Sequence, residues 1–403
     1  MDRVVKERLF TSSYILMCLA NFLTAFSFFL LVPTLPYYLA DNFGISPNLI
    51  GAILSCYVVA VLCIRPFAGF MADTFSRKKV YVIAYMLFAV CFVGYPFVGG
   101  NILLFVLLRV LHGFAFGTLN TTGNTLVIDI MPSSRRGEGL GYFGVTNNLA
   151  MAFGPMVGLF VIQGRNYNLL FLIALATASF GLLSSLFIKA RKRQQQERKG
   201  GLLSIDRFFL IEGIPASLAF FMLAIPYGMT SSYMALYAEE VDITTGTSLF
   251  FTIQAAGLIA SRLLSGRMVD KGYITQMISR GIFIALAGVI GEAMLTIVSG
   301  WNHILLYICY YISAFLIGYG FGTIFPAFNT LFINMAPHSR RATANATYLT
   351  GWDVGIGAGV LFGGSLSSNG YSFSFLTGVL LVFAAMLYFR FYVAKHFERH
   401  RLR

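Results

Sequence analysis

The chain has 403 residues, of which 57% are hydrophobic and 11% charged. That balance leaves too little polar surface for a water-soluble domain and makes lipid the solvent. A net charge of +13 raises nucleic acid as a partner, but the basic residues lie in the gaps between apolar runs, which points to a membrane face instead.

Apolar segments fall near residues 13–39, 47–69, 80–98, 102–127, 139–163, 168–188, 208–237, 246–266, 277–299, 303–333, 343–365 and 373–394. A helix needs about 20 mostly apolar residues to cross hydrocarbon, whereas barrel strands alternate in units of about ten. The runs here are long and continuous, so they predict an all-α polytopic membrane protein with twelve transmembrane helices.

Arg3, Lys6 and Arg8 lead into the first run, which is too long for a signal-peptide core and has no small-residue cleavage site; it is expected to stay as the first span. Asn21 is the polar group at depth in that span, and Pro33-Thr-Leu-Pro36 lies near its end. Between the second and third spans runs Gly-Phe-Met-Ala-Asp-Thr-Phe-Ser-Arg-Lys-Lys, Gly69 to Lys79. Glycine there allows close helix contact, Asp73 suits the positive end of a helix, and the basic cluster from Arg77 holds the loop in the cytoplasm.

The fourth span carries Arg109-Val-Leu-His112-Gly, and helical spacing sets Arg109, His112, Phe116, Asn120 and Asn124 along one broad stripe. An arginine at this depth needs water, protein or a counter-ion. Asp129, near the cytoplasmic end of the same span, is expected to pair with Arg77 or a neighbour as a gate latch. The fifth span holds Asn148 and Gly154-Pro155-Met-Val-Gly158, where proline removes a backbone hydrogen bond and the glycines admit a neighbouring helix. Residues 189–207 are the one long polar interruption, read as a basic linker between an N-terminal six-helix bundle, residues 1–188, and a C-terminal one, residues 208–403.

In the second half, Tyr227 and Ser231 in the seventh span and Tyr307 and Tyr311 in the tenth are expected to face a cavity suited to amphipathic or aromatic solutes. Two acids look embedded: Glu292 in the ninth span and Asp353, beside Trp352, in the eleventh. A carboxyl in a desolvated setting can change protonation near neutral pH, as a proton-coupled carrier requires. Asp353 is the preferred coupling residue, with Arg109, His112 and Glu292 as further candidates.

Positive charge tests the span count, because a missed span would scramble its alternation. The clusters at Arg77–Lys79, Arg135–Arg136, Lys189–Arg207, Arg267–Arg280, Arg340–Arg341 and Lys395–Arg403 fall with the N-terminus on one side, and the opposite loops hold only Arg165. Both termini are therefore expected in the cytoplasm. The halves also repeat. At an offset of 205, Phe116–Arg136 matches Phe321–Arg341 through Phe-Gly-Thr, Asn-Thr-Leu, a proline and Ser-Arg-Arg, and Arg65–Asp73 meets Arg262–Asp270 at another offset. Asn148 and Asp353 share a repeat position.

These motifs resemble those of the major facilitator superfamily. The Gly69–Lys79 loop is similar to its Gly-x-x-x-Asp-x-x-Gly-Arg-Lys signature, with Ser76 at the second glycine, and Gly266–Asp270 is a degenerate second copy. Arg109–Gly113 resembles that family's Arg-x-x-Gln-Gly motif with His112 at the glutamine, and Gly154–Gly158 resembles its antiporter motif with Leu159 at the final glycine. The resemblance implies the major facilitator fold, two pseudo-symmetric six-helix bundles, and the twelve-span drug/proton antiporter group, many of whose members hold an acid in span one where this chain has Asn21.

The expected function is proton-coupled efflux of a small amphipathic compound by alternating access. Proton symport or facilitated import of a sugar or organic anion, with Arg109 and His112 as ligands, and lipid flipping are the alternatives. The five cysteines, Cys18, Cys56, Cys63, Cys91 and Cys309, lie in apolar stretches without metal-ligand spacing. No P-loop, dinucleotide turn, metal-binding histidine pair or nucleophile elbow is present, so no cofactor, metal or enzyme activity is expected. The expected partners are a small-molecule substrate, protons and the bilayer, for a monomer in a bacterial cytoplasmic membrane.

Overall fold

Helix starts in this chain are set by polar residues placed just before the apolar runs. In the computed structural model, which describes residues 8–132, 135–190, 210–243, 246–337 and 340–402, Thr11 accepts a hydrogen bond from the Tyr14 amide and caps Ser12–Leu31 (α1). Asn101 does the same for Ile102–Ile130 (α4) through Leu104, and Asn166 for Tyr167–Leu186 (α6) through Leu169. Asn302 caps His303–Met335 (α10) through Ile304 and Leu305. Each satisfies backbone donors that water would otherwise have to reach.

The other helices of eighteen residues or more are Pro47–Thr74 (α2), Arg77–Gly94 (α3), Arg136–Val161 (α5), Ile214–Glu240 (α7), Thr247–Asp270 (α8), Ile274–Ala293 (α9), Arg341–Leu366 (α11) and Tyr371–Tyr388 (α12). That makes twelve long helices among the described residues, one for each apolar segment of the sequence. Among the described residues, nine helical stretches are long and apolar enough to cross a membrane by length and composition.

The helices cluster into two compact units, residues 1–43 with 56–197, and residues 44–55 with 198–403. In the first, α1 packs against α5 and α6, and α3 against α4 and α6. In the second, α10 packs against α8 and α9, and α7 against α11 and α12. Large apolar side chains such as Leu107, Phe180, Phe283 and Leu380 are exposed, as expected of surfaces facing acyl chains. Several buried threonine hydroxyls are satisfied within their own helices: Thr24 donates to the Ala20 carbonyl at 2.9 Å, Thr118 to Phe114 at 2.8 Å and Thr323 to Tyr319 at 3.0 Å.

The sequence repeat has a packing counterpart inside each unit. Gly117 of α4 and Gly322 of α10 occupy the same repeat position. A Cβ on Gly117 would lie 2.5 Å from Ile64 Cγ2 and 3.0 Å from the Val61 carbonyl on α2. One on Gly322 would lie 2.0 Å from Ser261 Oγ and 2.8 Å from the Leu258 carbonyl on α8. Only glycine permits these approaches, and both repeats use it at the same turn.

Candidate functional site

The stripe read along α4 divides in two. Its outer part is enclosed. Arg109 is 5% exposed and His112 is fully buried. The Arg109 guanidinium donates from Nη1 to the Tyr95 hydroxyl at 3.2 Å and lies 4.2 Å above the Tyr57 ring. Tyr95 Oη also hydrogen-bonds His112 Nδ1 at 2.9 Å. A tautomer with its hydrogen on Nε2 lets that hydroxyl accept from Arg109 and donate to Nδ1. Phe88 and Phe92 close on the imidazole at 4.7 and 4.8 Å between ring centroids. The cation is accommodated by a ring face and a phenol; among the described residues it forms no ion pair.

The inner part of the stripe borders a small, partly open recess in the first unit. From α1 come Asn21, Thr24 and Ala25, and from α3 Tyr81. From α4 come Phe116, Leu119, Asn120 and Gly123, and from α5 Asn147. Asn124, one turn beyond Asn120, donates to its side-chain oxygen at 2.8 Å. Phe116 is shared with the enclosed cluster, its ring 5.9 Å from those of Tyr57 and Phe88.

Asn21, Phe116 and Asn120 line the same recess. Asn148 does not line the recess; its neighbour Asn147 does. Successive helix residues point about 100° apart, and the sequence does not say which of two adjacent asparagines faces inward. Thr24 and Tyr81 are missed as well. Thr24 has no sequence signal, and Tyr81 reads as an interfacial tyrosine.

In the second unit, Trp352 sits among Phe220, Tyr227 and Phe325 at centroid distances of 5.2, 5.1 and 4.5 Å. Ser231 is one turn from Tyr227 and buried. Tyr307 and Tyr311 pair with each other at 6.2 Å, and the Tyr311 hydroxyl reaches the Gly246 carbonyl. They lie ten residues or more along α10 from Phe321 and so about 15 Å or more from the Trp352 cluster, outside it.

Glu292 has no solvent exposure. Its Oε2 accepts from the Thr230 hydroxyl at 2.8 Å, and its Oε1 has no hydrogen-bond partner among the described residues. Among those residues the buried Tyr310 hydroxyl has none either. Asp353 is half-buried on α11.

Arg77 Nη1 contacts both oxygens of Asp129 at 2.8 Å, and its Nε donates to the Ala72 carbonyl at 3.2 Å. The side chains of Asp73 and Asp270 lie outside the described residues, as does most of the 189–207 segment. Gly69 has open space around it. At Gly154 a Cβ would meet Phe29 Cβ at 2.7 Å, and at Gly158 the Leu30 carbonyl at 2.3 Å, so the Gly154-Pro155 turn of α5 rests on α1. A further polar cluster, given no role by the sequence, joins Asp41 to Arg165 and Tyr167, with the Arg165 guanidinium 5.3 Å over Tyr37. Among the described residues no group of three metal-ligating side chains occurs.

A family model described as Major Facilitator Superfamily matches residues 17–331 and 306–403. The chain belongs to the Major Facilitator Superfamily. It is an integral membrane transporter of small molecules rather than an enzyme, and it has the all-α fold of that family.

Its sequence is 21% identical to the staphylopine export protein of Staphylococcus aureus over 361 residues, 86% of this chain and 87% of that protein. It is 24% identical to the multi-drug resistance efflux pump PmrA of Streptococcus pneumoniae over 336 residues, 79% of each. Among solved structures, the nucleoside transporter NupG is similar with a TM-score of 0.70 at 17% identity, covering 94% of this chain and all of that one.

Proposed function

We propose that this protein exports a small amphipathic compound from the cytoplasm by alternating access, driven by protons moving the other way. Similarity to an exporter and a multidrug efflux pump over about four fifths of the chain supports the direction. The observation that carries the coupling is Glu292: a carboxyl with no exposure, one hydrogen bond and no cation partner among the described residues. A buried carboxyl without a counter-charge is suited to exchanging a proton rather than keeping a fixed charge.

In this reading Asp353 is the carboxyl that exchanges protons with the wet side, and Glu292 is the second, deeper one. Arg109 and His112, locked to Tyr95, hold Tyr57 and Phe116 in place and so set one wall of the recess. The Arg77–Asp129 pair ties the start of α3 to the end of α4 and acts as a latch, with Gly69, Asp73 and Asp270 as the remaining parts of the gating motifs. Both termini face the cytoplasm, and the protein works as a monomer in a bacterial cytoplasmic membrane.

The test is transport by the full chain in vesicles with an imposed pH gradient, an internal pH dye and a panel of candidate solutes. Export predicts proton movement opposite to solute. Movement of both together makes the protein an importer, and solute flux indifferent to the gradient makes it a facilitator; either result removes this reading.

A further inference from the structure

The recess of the first unit has a specific polarity. None of its lining residues is charged. The Thr146 hydroxyl donates to the Phe143 carbonyl at 2.7 Å, so its contact with Asn21 at 2.9 Å has to come from the Asn21 amide nitrogen. That nitrogen also reaches the Phe143 carbonyl at 3.4 Å. The orientation of the amide is thereby fixed, and its oxygen is left as an acceptor without a partner among the described residues. Thr24 beside it commits its proton to Ala20 and also meets the Tyr85 side chain, so it adds polar surface and no free donor. On the facing helix the Asn120 oxygen is taken by Asn124, which leaves the Asn120 amide nitrogen as a donor. Phe116 and Tyr81 supply ring surface beside these groups.

We infer that this recess is a subsite for the polar edge of an uncharged, ring-bearing solute that carries a hydrogen-bond donor and acceptor side by side, as an amide or lactam does. An ammonium group would find an acceptor there but no opposite charge, and a carboxylate would face the Asn21 oxygen; leaving water uncompensated disfavours both. Asn21 is then the residue that sets neutral over cationic preference. The inference rests on the transport reading above and names the substrate class of that site.

Binding to the purified full chain in nanodiscs, without any gradient, tests the recess apart from transport. Three matched probes share one aromatic frame and end in a carboxamide, a primary ammonium or a carboxylate, and calorimetry measures each. The carboxamide is expected to bind at least tenfold more tightly than the other two. Asn21→Asp is expected to reverse the order of carboxamide and ammonium, and Asn120→Asp, on the facing helix, to move it the same way should the first variant fail to yield folded protein. A wild-type preference for either charged probe, no saturable binding of any probe, or an unchanged order in the folded variants overturns the inference. Intact neutral preference without uphill export would sink the transport reading and leave the subsite standing.

Discussion

Arg109 illustrates how a charge is held at depth with no counter-ion among the described residues. Tyr95 accepts its hydrogen bond and Tyr57 provides a ring face. Lysine lacks the planar guanidinium that stacks and donates at once. Arg109→Lys is therefore expected to cost about 1–2 kcal/mol, read as a lower unfolding midpoint of the purified protein. Tyr95→Phe should cost as much or more, about 1–3 kcal/mol, because it leaves both Arg109 and His112 without their shared partner. Unchanged midpoints in both would show that the cluster does not hold the first unit together. Where α3 starts beside the end of α4, Arg77→Ala and Asp129→Ala should each slow transport, and the double variant should be little worse than either single one, since both remove one contact. Additive losses would separate the two residues. This cluster was only half legible in the sequence. Arg109 and His112 stand out as polar residues in an apolar span, but a cavity-lining arginine and a caged one have the same spacing, and only the neighbours Tyr57 and Tyr95 decide between them.

At the scale of elements, close contact between helices depends on glycines placed at matching turns of the two repeats. Adding one methyl group tests it with an internal control. Gly117→Ala and Gly322→Ala force a carbon against backbone carbonyls and are expected to destabilise by about 1–3 kcal/mol. Gly141→Ala and Gly144→Ala, where a Cβ meets nothing within 4 Å, should leave stability unchanged or raise it by up to about 1 kcal/mol. Equal effects at all four positions would contradict the packing argument. The helices themselves were readable because spanning length and apolar runs leave few options in lipid, and asparagine caps mark several starts. The residues facing a recess were less so. Asn21, Phe116 and Asn120 announce themselves by polarity or repeat position, whereas Thr24 hides its hydroxyl in its own helix and Asn147 differs from Asn148 by a single step of rotation.

For the whole molecule, an uncharged, amide-lined recess lies in one unit and two carboxyls, Glu292 buried and Asp353 half-buried, lie in the other; the proposed cycle uses both with protons as the driving force. The fold followed from composition and internal repetition, which act over hundreds of residues, and the family from short motifs such as Gly69–Lys79 and Arg109–Gly113. The chemistry depends on single side chains, and there the sequence offered only candidates. Asp353→Asn decides most directly among them, because asparagine preserves shape and removes the proton. With solute and internal pH followed together in vesicles, the native chain should drive solute uphill against an inward proton flux, and the variant should lose uphill transport while retaining solute exchange. Undiminished uphill transport by Asp353→Asn, with its proton flux intact, would contradict the account.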